Sequence, residues 1–154
     1  MHDAVMAALP QADALVMAAA VANYTAASVA GQKIAHDDGV LNVQLVPTAD
    51  ILADAATWRR RGGTHRPLLI GFAAETSDLL DRARAKRVRK GIDVIVANDV
   101  AQPGAGFEVD TNQVTIIDGA GEETLPLQAK SAIASALADR LERWLQPSPA
   151  GTRA

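Results

Sequence analysis

Cysteine is absent from the 154 residues, which excludes disulfides and thiolate metal sites. Aromatic residues make up only 3%, although 49% of the chain is hydrophobic, much of it alanine. A core of this composition packs its elements closely through small side chains. No uncharged apolar run reaches the roughly 18 residues of a membrane span. The longest, Ala12 to Ala22, is interrupted by Asp13 and is too short. The N-terminus lacks the basic region and cleavage signature of a secretory signal. These absences together point to the cytoplasm and away from a membrane. A phosphate-cradling glycine loop is also missing, because Gly104-Ala-Gly106 and Gly119-Ala-Gly121 are too short and do not join a strand to a helix. His2, His36 and His65 are scattered without metal-ligand spacing, and no metal ligand is assigned. No Gly-x-Ser-x-Gly elbow occurs.

Charge is slightly negative, at −3, and gives no global case for nucleic acid. Its distribution is uneven. Arg82, Arg84, Lys86, Arg87, Arg89 and Lys90 fall within nine residues, a local patch that suits a small polyanion better than a long one. The same patch is accounted for by a solvated helix face whose cations oppose the helix dipole.

The length is that of one domain with a core. Alternating strand and helix signals run along it. Asp3 to Leu9 reads as a short helix, and Ala14 to Ala20 as a buried strand. Val40 to Val46 alternates polar and apolar residues, as a half-exposed strand does. Thr48 or Asp50 caps a helix to about Arg61, which Gly62-Gly63 ends. Pro67 to Ala74 is a second buried strand, and Thr76-Ser77-Asp78 caps a helix from Asp78 to Lys90 that Gly91 stops. Asp93 to Asn98 is a third buried strand. Gln102 to Gly106 is a loop, Gln113 to Ile117 a strand with a turn at Asp118-Gly119, and Glu122-Glu123 a solvated turn. Ile133, Leu137, Leu141 and Leu145, with Trp144 beside them, mark the last helix. The expected class is α/β, a Rossmann-like, mostly parallel sheet with helices on both faces.

Open parallel sheets bind ligands beyond the carboxyl ends of their strands. Asn23 and Tyr24, Glu75 and Thr76, and Asn98 and Asp99 follow the three buried strands and so gather at one rim. Each alone reads as a cap or loop hydrogen bond before it reads as a ligand contact. Lys33 lies in Ala30-Gly-Gln-Lys-Ile-Ala-His-Asp-Asp-Gly39, a polar segment with glycines near both ends. A lysine there is either surface or a cation that closes over an anionic intermediate.

Several segments recur together in one order: Ala19-Ala-Val-Ala-Asn-Tyr24, Lys33-Ile34, Asp50-Ile51, Gly71-Phe-Ala-Ala-Glu-Thr76, Lys86-Arg-Val-Arg-Lys90 and Asp93-Val-Ile-Val-Ala-Asn-Asp-Val100. From about Ala14 to Trp144 the chain resembles the bacterial phosphopantothenate–cysteine ligases of coenzyme A synthesis. The resemblance implies that CTP activates the phosphopantothenate carboxylate as an acyl-cytidylate, which L-cysteine then attacks. Magnesium would arrive on the triphosphate. FMN would be involved only through a fused or associated decarboxylase domain.

By the same resemblance, Ala18, Ala19 and Ala20 line the base and ribose, and Asn23 stands where the family has an aspartate. Lys33 is the flap lysine that binds triphosphate and supports acyl-nucleotide formation. Ala49, Asp50, Ile51 and Leu52 contact the nucleotide, Phe72 packs on it, and Lys86 and Lys90 bind it through charge. Residues 1–146 would be the C-terminal portion of the ligase domain and 147–154 a flexible tail. The family's opening strand–helix–strand portion is not matched, which implies a truncated product or half of a split enzyme, inactive alone. A homodimer and association with the decarboxylase are further implications. The rival reading is a nucleotide-binding α/β module without catalysis. Asn23 in place of aspartate leaves CTP and ATP both open.

Overall fold

The computed structural model describes residues 1–34, 36, 40–62, 65–75, 78–100, 102–105 and 109–146. In chain order its elements are α1 (His2–Ala8) with a 3-10 turn at Leu9–Gln11, β1 (Ala14–Met17), β2 (Tyr24–Ala26), β3 (Leu45–Pro47), α2 (Ile51–Arg60), β4 (Leu68–Glu75), α3 (Leu79–Lys90), β5 (Val94–Asp99), β6 (Thr111–Ile117), β7 (Glu122–Ala129) and α4 (Lys130–Leu145). They form two compact units, one of residues 1–18 and 51–154 and the other of residues 19–50.

The larger unit holds a five-stranded sheet in the order β1-β4-β5-β6-β7. β1, β4 and β5 are mutually parallel, and β6 and β7 continue the sheet antiparallel. Side chains of a strand alternate between faces, and β4 shows the consequence. Leu69 and Ala73 join a core with Leu9, Leu52, Ala55, Ala56 and Ala83, from the first turns and from α2 and α3. Ile70 joins the opposite core with Ile133 of α4, while Leu68 and Phe72 pack at its margin. Helices therefore cover both faces, and the α/β, Rossmann-like class expected from the sequence is the one observed. Alanine sets the closeness of the first layer, since Ala55, Ala56 and Ala83 are all fully buried. Gly71 has the same cause: a Cβ there would lie 2.9 Å from the terminal carbons of both Leu52 and Ile92.

Several expectations are corrected. The strand expected over Ala14 to Ala20 ends at Met17 and is only half-buried, because it is the sheet's edge and has a neighbour on one side alone. Only Leu45–Pro47 of the expected Val40 to Val46 strand is paired, and it is exposed. Its partner is Tyr24–Ala26, a segment whose sequence carries no strand signal of its own. Glu122-Glu123 is no turn but the start of β7. The turn is Asp118 to Gly121, where the Asp118 carboxylate accepts the Ala120 and Gly121 N–H groups. Pro126 lacks an N–H and lies opposite the register shift between Asn112 and Val114, as proline on an edge strand does. Leu145 is exposed because a spacing of four drifts about 40° per step around a helix, so Trp144 takes the core position. Helix α3 ends as expected, with Gly91 in the left-handed region. Of its expected cap, Asp78 makes no side-chain capping bond, and Thr76 and Ser77 lie outside the described residues, as do residues 147–154.

The amino end of the sheet is tied by one side chain. Arg59, in the last turn of α2, donates to the Asp93 carboxylate and, at 3.0 Å each, to the carbonyls of Pro67 and Gly91. The same Asp93 oxygen accepts the Leu69 N–H at 2.8 Å. Arg87 of α3 donates to the Asp93 carbonyl at 2.7 Å. Arg59→Ala would leave these acceptors short of a charged donor in a half-buried place. The expected loss is about 1.5–3 kcal/mol of unfolding free energy, the range for hydrogen bonds to charged groups, read as a lower urea midpoint with unchanged slope.

Candidate functional site at the carboxyl rim

Because the C-terminal turn of α2 is fixed beside the start of β4, its N-terminus points toward the carboxyl ends of the strands. Helix α3, which leaves β4 at that rim and returns to β5, is oriented the same way. Two helix N-termini, each with backbone N–H groups free of intrahelical partners, thus converge on the rim. Ile51 and Leu52 begin α2, and each residue is only 5% exposed and belongs to the core.

On the α4 face of the rim stand Phe72 and Asn98. Phe72 lies opposite Val96, and Asn98 opposite Ala74, one pleat further along. The Asn98 amide oxygen is buried and has no hydrogen-bond partner among the described groups. A buried amide oxygen without a donor costs about 1–3 kcal/mol. An aromatic ring beside an unanswered acceptor suits a planar ligand whose edge carries N–H or O–H.

The opposite face carries a cavity of about 490 Å³, lined among others by Asp78, Asp81 and Arg84 of α3, Asp99 of β5, Gln113 and Thr115 of β6, and Thr124 of β7. Thr115 and Thr124 share a hydroxyl hydrogen bond of 2.9 Å. The sequence reading passed over these three β6 and β7 residues. Their signal was the alternation of Gln113 and Thr115 with buried Val114 and Ile116.

The basic helix is largely answered from within. Lys86 reaches the Phe72 carbonyl, Nζ to O at 3.0 Å, so it approaches β4 from the face opposite the Phe72 ring. Lys90 is one turn further on, about 6 Å along the axis, and precedes Gly91 and the amino end of β5. Arg84 pairs with Asp81 at 2.6 Å and bidentately with Glu122. The next residue, Glu123, points to the other face and pairs with Arg140 of α4. Adjacent glutamates on β7 thus fasten one helix on each side of the sheet.

Ala18 is exposed and directly follows β1. The other expected site residues belong to the smaller unit, a two-stranded antiparallel ribbon with Tyr24 opposite Pro47. Within it Asn23 has an exposed side chain, and its carbonyl accepts the Thr48 N–H at 2.9 Å. Thr48 also donates its hydroxyl to the Ala22 carbonyl at 2.6 Å. Ala19, Ala20, Lys33, Ala49 and Asp50 are exposed in irregular chain. Residues 35 and 37–39 of the expected flap lie outside the described residues, as does the side chain of Glu75. Among the described residues no three carboxylate or imidazole groups converge to hold a metal ion, and no helix is long and apolar enough to cross a membrane.

Residues 1–145 match the model of the DNA/pantothenate metabolism flavoprotein C-terminal domain, and the chain belongs to that family. It is 40% identical over 144 residues to the coenzyme A biosynthesis bifunctional protein CoaBC of Escherichia coli K12, covering 92% of this chain and 34% of that protein. The CoaBC of Vibrio cholerae is 41% identical over 139 residues, covering 89% and 34%. The chain thus spans about a third of these relatives. A crystal structure of the C-terminal domain of a CoaBC superposes with TM-score 0.70 at 29% identity, over 94% of this chain and 60% of that one.

The Arg84–Glu122 pair yields a pH prediction. The hydrogen bond from Arg84, with its charge, holds the Glu122 carboxyl below its ordinary value of 4.5, against a smaller opposing effect of burial. A depressed carboxyl stabilises the fold fully above its unfolded value and loses that contribution as pH falls through the folded one. Glu122→Gln should therefore lower the melting temperature at pH 7 slightly, and the difference from the parent should shrink below about pH 4.5. Melting curves at stepped pH and low salt check this.

Proposed function

We propose that residues 1–146 are the nucleotide-facing part of a phosphopantothenate–cysteine ligase that acts in coenzyme A biosynthesis in the cytoplasm. The observation that carries the reading is the unanswered Asn98 oxygen beside Phe72, at the rim to which two helix N-termini point. A nucleobase stacks on the ring and gives an exocyclic amine proton to the amide oxygen. Cytosine and adenine both carry that amine, so the platform accepts CTP and ATP, with CTP favoured by the family resemblance.

The reaction follows in two displacements. A carboxylate oxygen of phosphopantothenate attacks the α-phosphorus of the triphosphate, and the bond to the β-phosphate breaks to release pyrophosphate. The cysteine amine then attacks the acyl carbon, loses its proton, and the nucleoside monophosphate leaves. Neither step needs a protein nucleophile. Positioning and charge are the protein's contribution. The N–H groups opening α2 meet phosphate oxygens, Lys86 adds positive charge beside β4, and Lys33 supplies a further cation, whereas Lys90, at the amino end of the sheet, takes no part at this rim. Ala18, Ala19 and Ala20 leave room for the sugar, and Asn23 accepts a hydroxyl. Magnesium is carried by the phosphates and water. FMN is assigned to a decarboxylase partner and not to these residues.

A homodimer fits the smaller unit. Val29, Val40, Leu41, Val43 and Leu45 are all exposed there, and apolar surface of this kind marks an association site.

Calorimetric titration of the chain with magnesium CTP and magnesium ATP tests the platform. Asn98→Ala should weaken binding about tenfold or more, the equivalent of one hydrogen bond to a buried acceptor, without lowering the melting temperature. Binding unaffected by Asn98→Ala and Phe72→Ala together would overturn the platform. Pyrophosphate release from the complete ligase separates catalysis from a binding module: Lys33→Gln should suppress release and spare the fold, whereas a module without catalysis releases none in either form.

A further inference from the structure

The chain bends at Asn23, just before β2, and the Asn23 side chain is exposed. One residue holds the backbone on both sides of it. Thr48 donates its N–H to the Asn23 carbonyl at 2.9 Å and its hydroxyl to the Ala22 carbonyl at 2.6 Å. Those two carbonyls belong to the peptide groups that flank the Asn23 Cα. Peptide groups are planar, so fixing both of them fixes φ and ψ of Asn23. The direction in which its side chain leaves the backbone is fixed with them.

The ribbon brings Thr48 to this place. Tyr24 lies opposite Pro47, Thr25 opposite Val46 and Ala26 opposite Leu45. Ala27 donates to the Gln44 carbonyl and Thr48 to that of Asn23, each at 2.9 Å, so hydrogen-bonded pairs fall at every second position. Pro47 sits between two such positions, where its missing N–H costs the ladder nothing. The paired strands end at Tyr24 and Pro47, and the Thr48 side chain carries the connection on to Ala22. Thr48 is half-buried, and its branched Cβ restricts the hydroxyl to few directions. Ala22 and Asn23 are exposed, where water serves a carbonyl as well as a hydroxyl does. The two bonds therefore contribute direction more than stability.

We propose that Thr48 is a positioning residue for nucleotide binding, aiming the Asn23 amide at a hydroxyl of the sugar. That role rests on the ligase reading, in which Asn23 accepts the hydroxyl. Thr48 acts through Asn23, because its own hydroxyl proton is engaged by Ala22.

Titration of the chain with magnesium CTP, and with its 2′-deoxy and 3′-deoxy forms, tests this in Thr48→Val, which keeps the shape and removes the hydroxyl. Binding of CTP should weaken about fivefold, the equivalent of one hydrogen bond. Binding of the deoxy form that lacks the hydroxyl met by Asn23 should not change, and the melting temperature should match the parent's. Thr48→Ser should restore CTP binding, and adding Asn23→Ala to Thr48→Val should cost nothing more. Unchanged CTP binding, equal weakening toward CTP and both deoxy forms, a lowered melting temperature, or failure of Thr48→Ser to restore binding would overturn the proposal. The scalar coupling between the Asn23 amide and α protons reports φ without any nucleotide. It should show one conformation in the parent and in Thr48→Ser, and an average in Thr48→Val. An unchanged coupling in Thr48→Val would overturn the proposal whatever the titrations give. A changed coupling in a chain that binds no nucleotide would support the positioning and count against the ligase reading.

Discussion

Arg59 reaches from the last turn of α2 into the space between the start of β4 and the turn that links α3 to β5. Its guanidinium answers two carbonyls that end or begin regular structure, and the Asp93 carboxylate holds it there while also accepting the first buried N–H of β4. With its side chain 16% exposed, Arg59 is screened far less than a surface cation. Everything at the opposite end follows from this tie. Once the C-termini of α2 and α3 are fixed at the amino end of the sheet, their N-termini are directed to the carboxyl rim. The helix interiors are thin enough, through Ala55, Ala56, Ala83 and Gly71, to lie close on the strands. The charged ties thus sit at one end of these helices and their N-termini at the other.

Much of this was legible in the sequence where one physical cause dominated. Gly91 stops α3 because only a left-handed residue fits there, and apolar runs marked β4 and β5 because both faces are buried. The reading failed where tertiary context decided. An alanine-rich run looks like a central strand, but nothing in Ala14 to Ala20 reveals that only one edge would be paired. Glu122 and Glu123 look like a solvated turn, since their partners Arg84 and Arg140 lie 38 and 17 residues away. Within the site, Asp50-Ile51 was expected to contact a nucleotide, and nothing in the motif reveals that Ile51 and Leu52 are buried in the core. Asn98 was one of six rim candidates by topology, and only its unanswered oxygen distinguishes it.

Lys86 of α3 donates to the Phe72 carbonyl, while the ring of the same residue packs against the core beneath α4. One β4 position thus meets a helix on each face of the sheet.

The account stands most directly on Asn98. Its side-chain amide can be followed by heteronuclear NMR during titration with magnesium CTP. The account predicts a saturable shift of that amide and of the Phe72 ring at the same midpoint, together with the N–H groups of Ile51 and Leu52. Saturation that moves other residues while leaving Asn98 and Phe72 in place would contradict it.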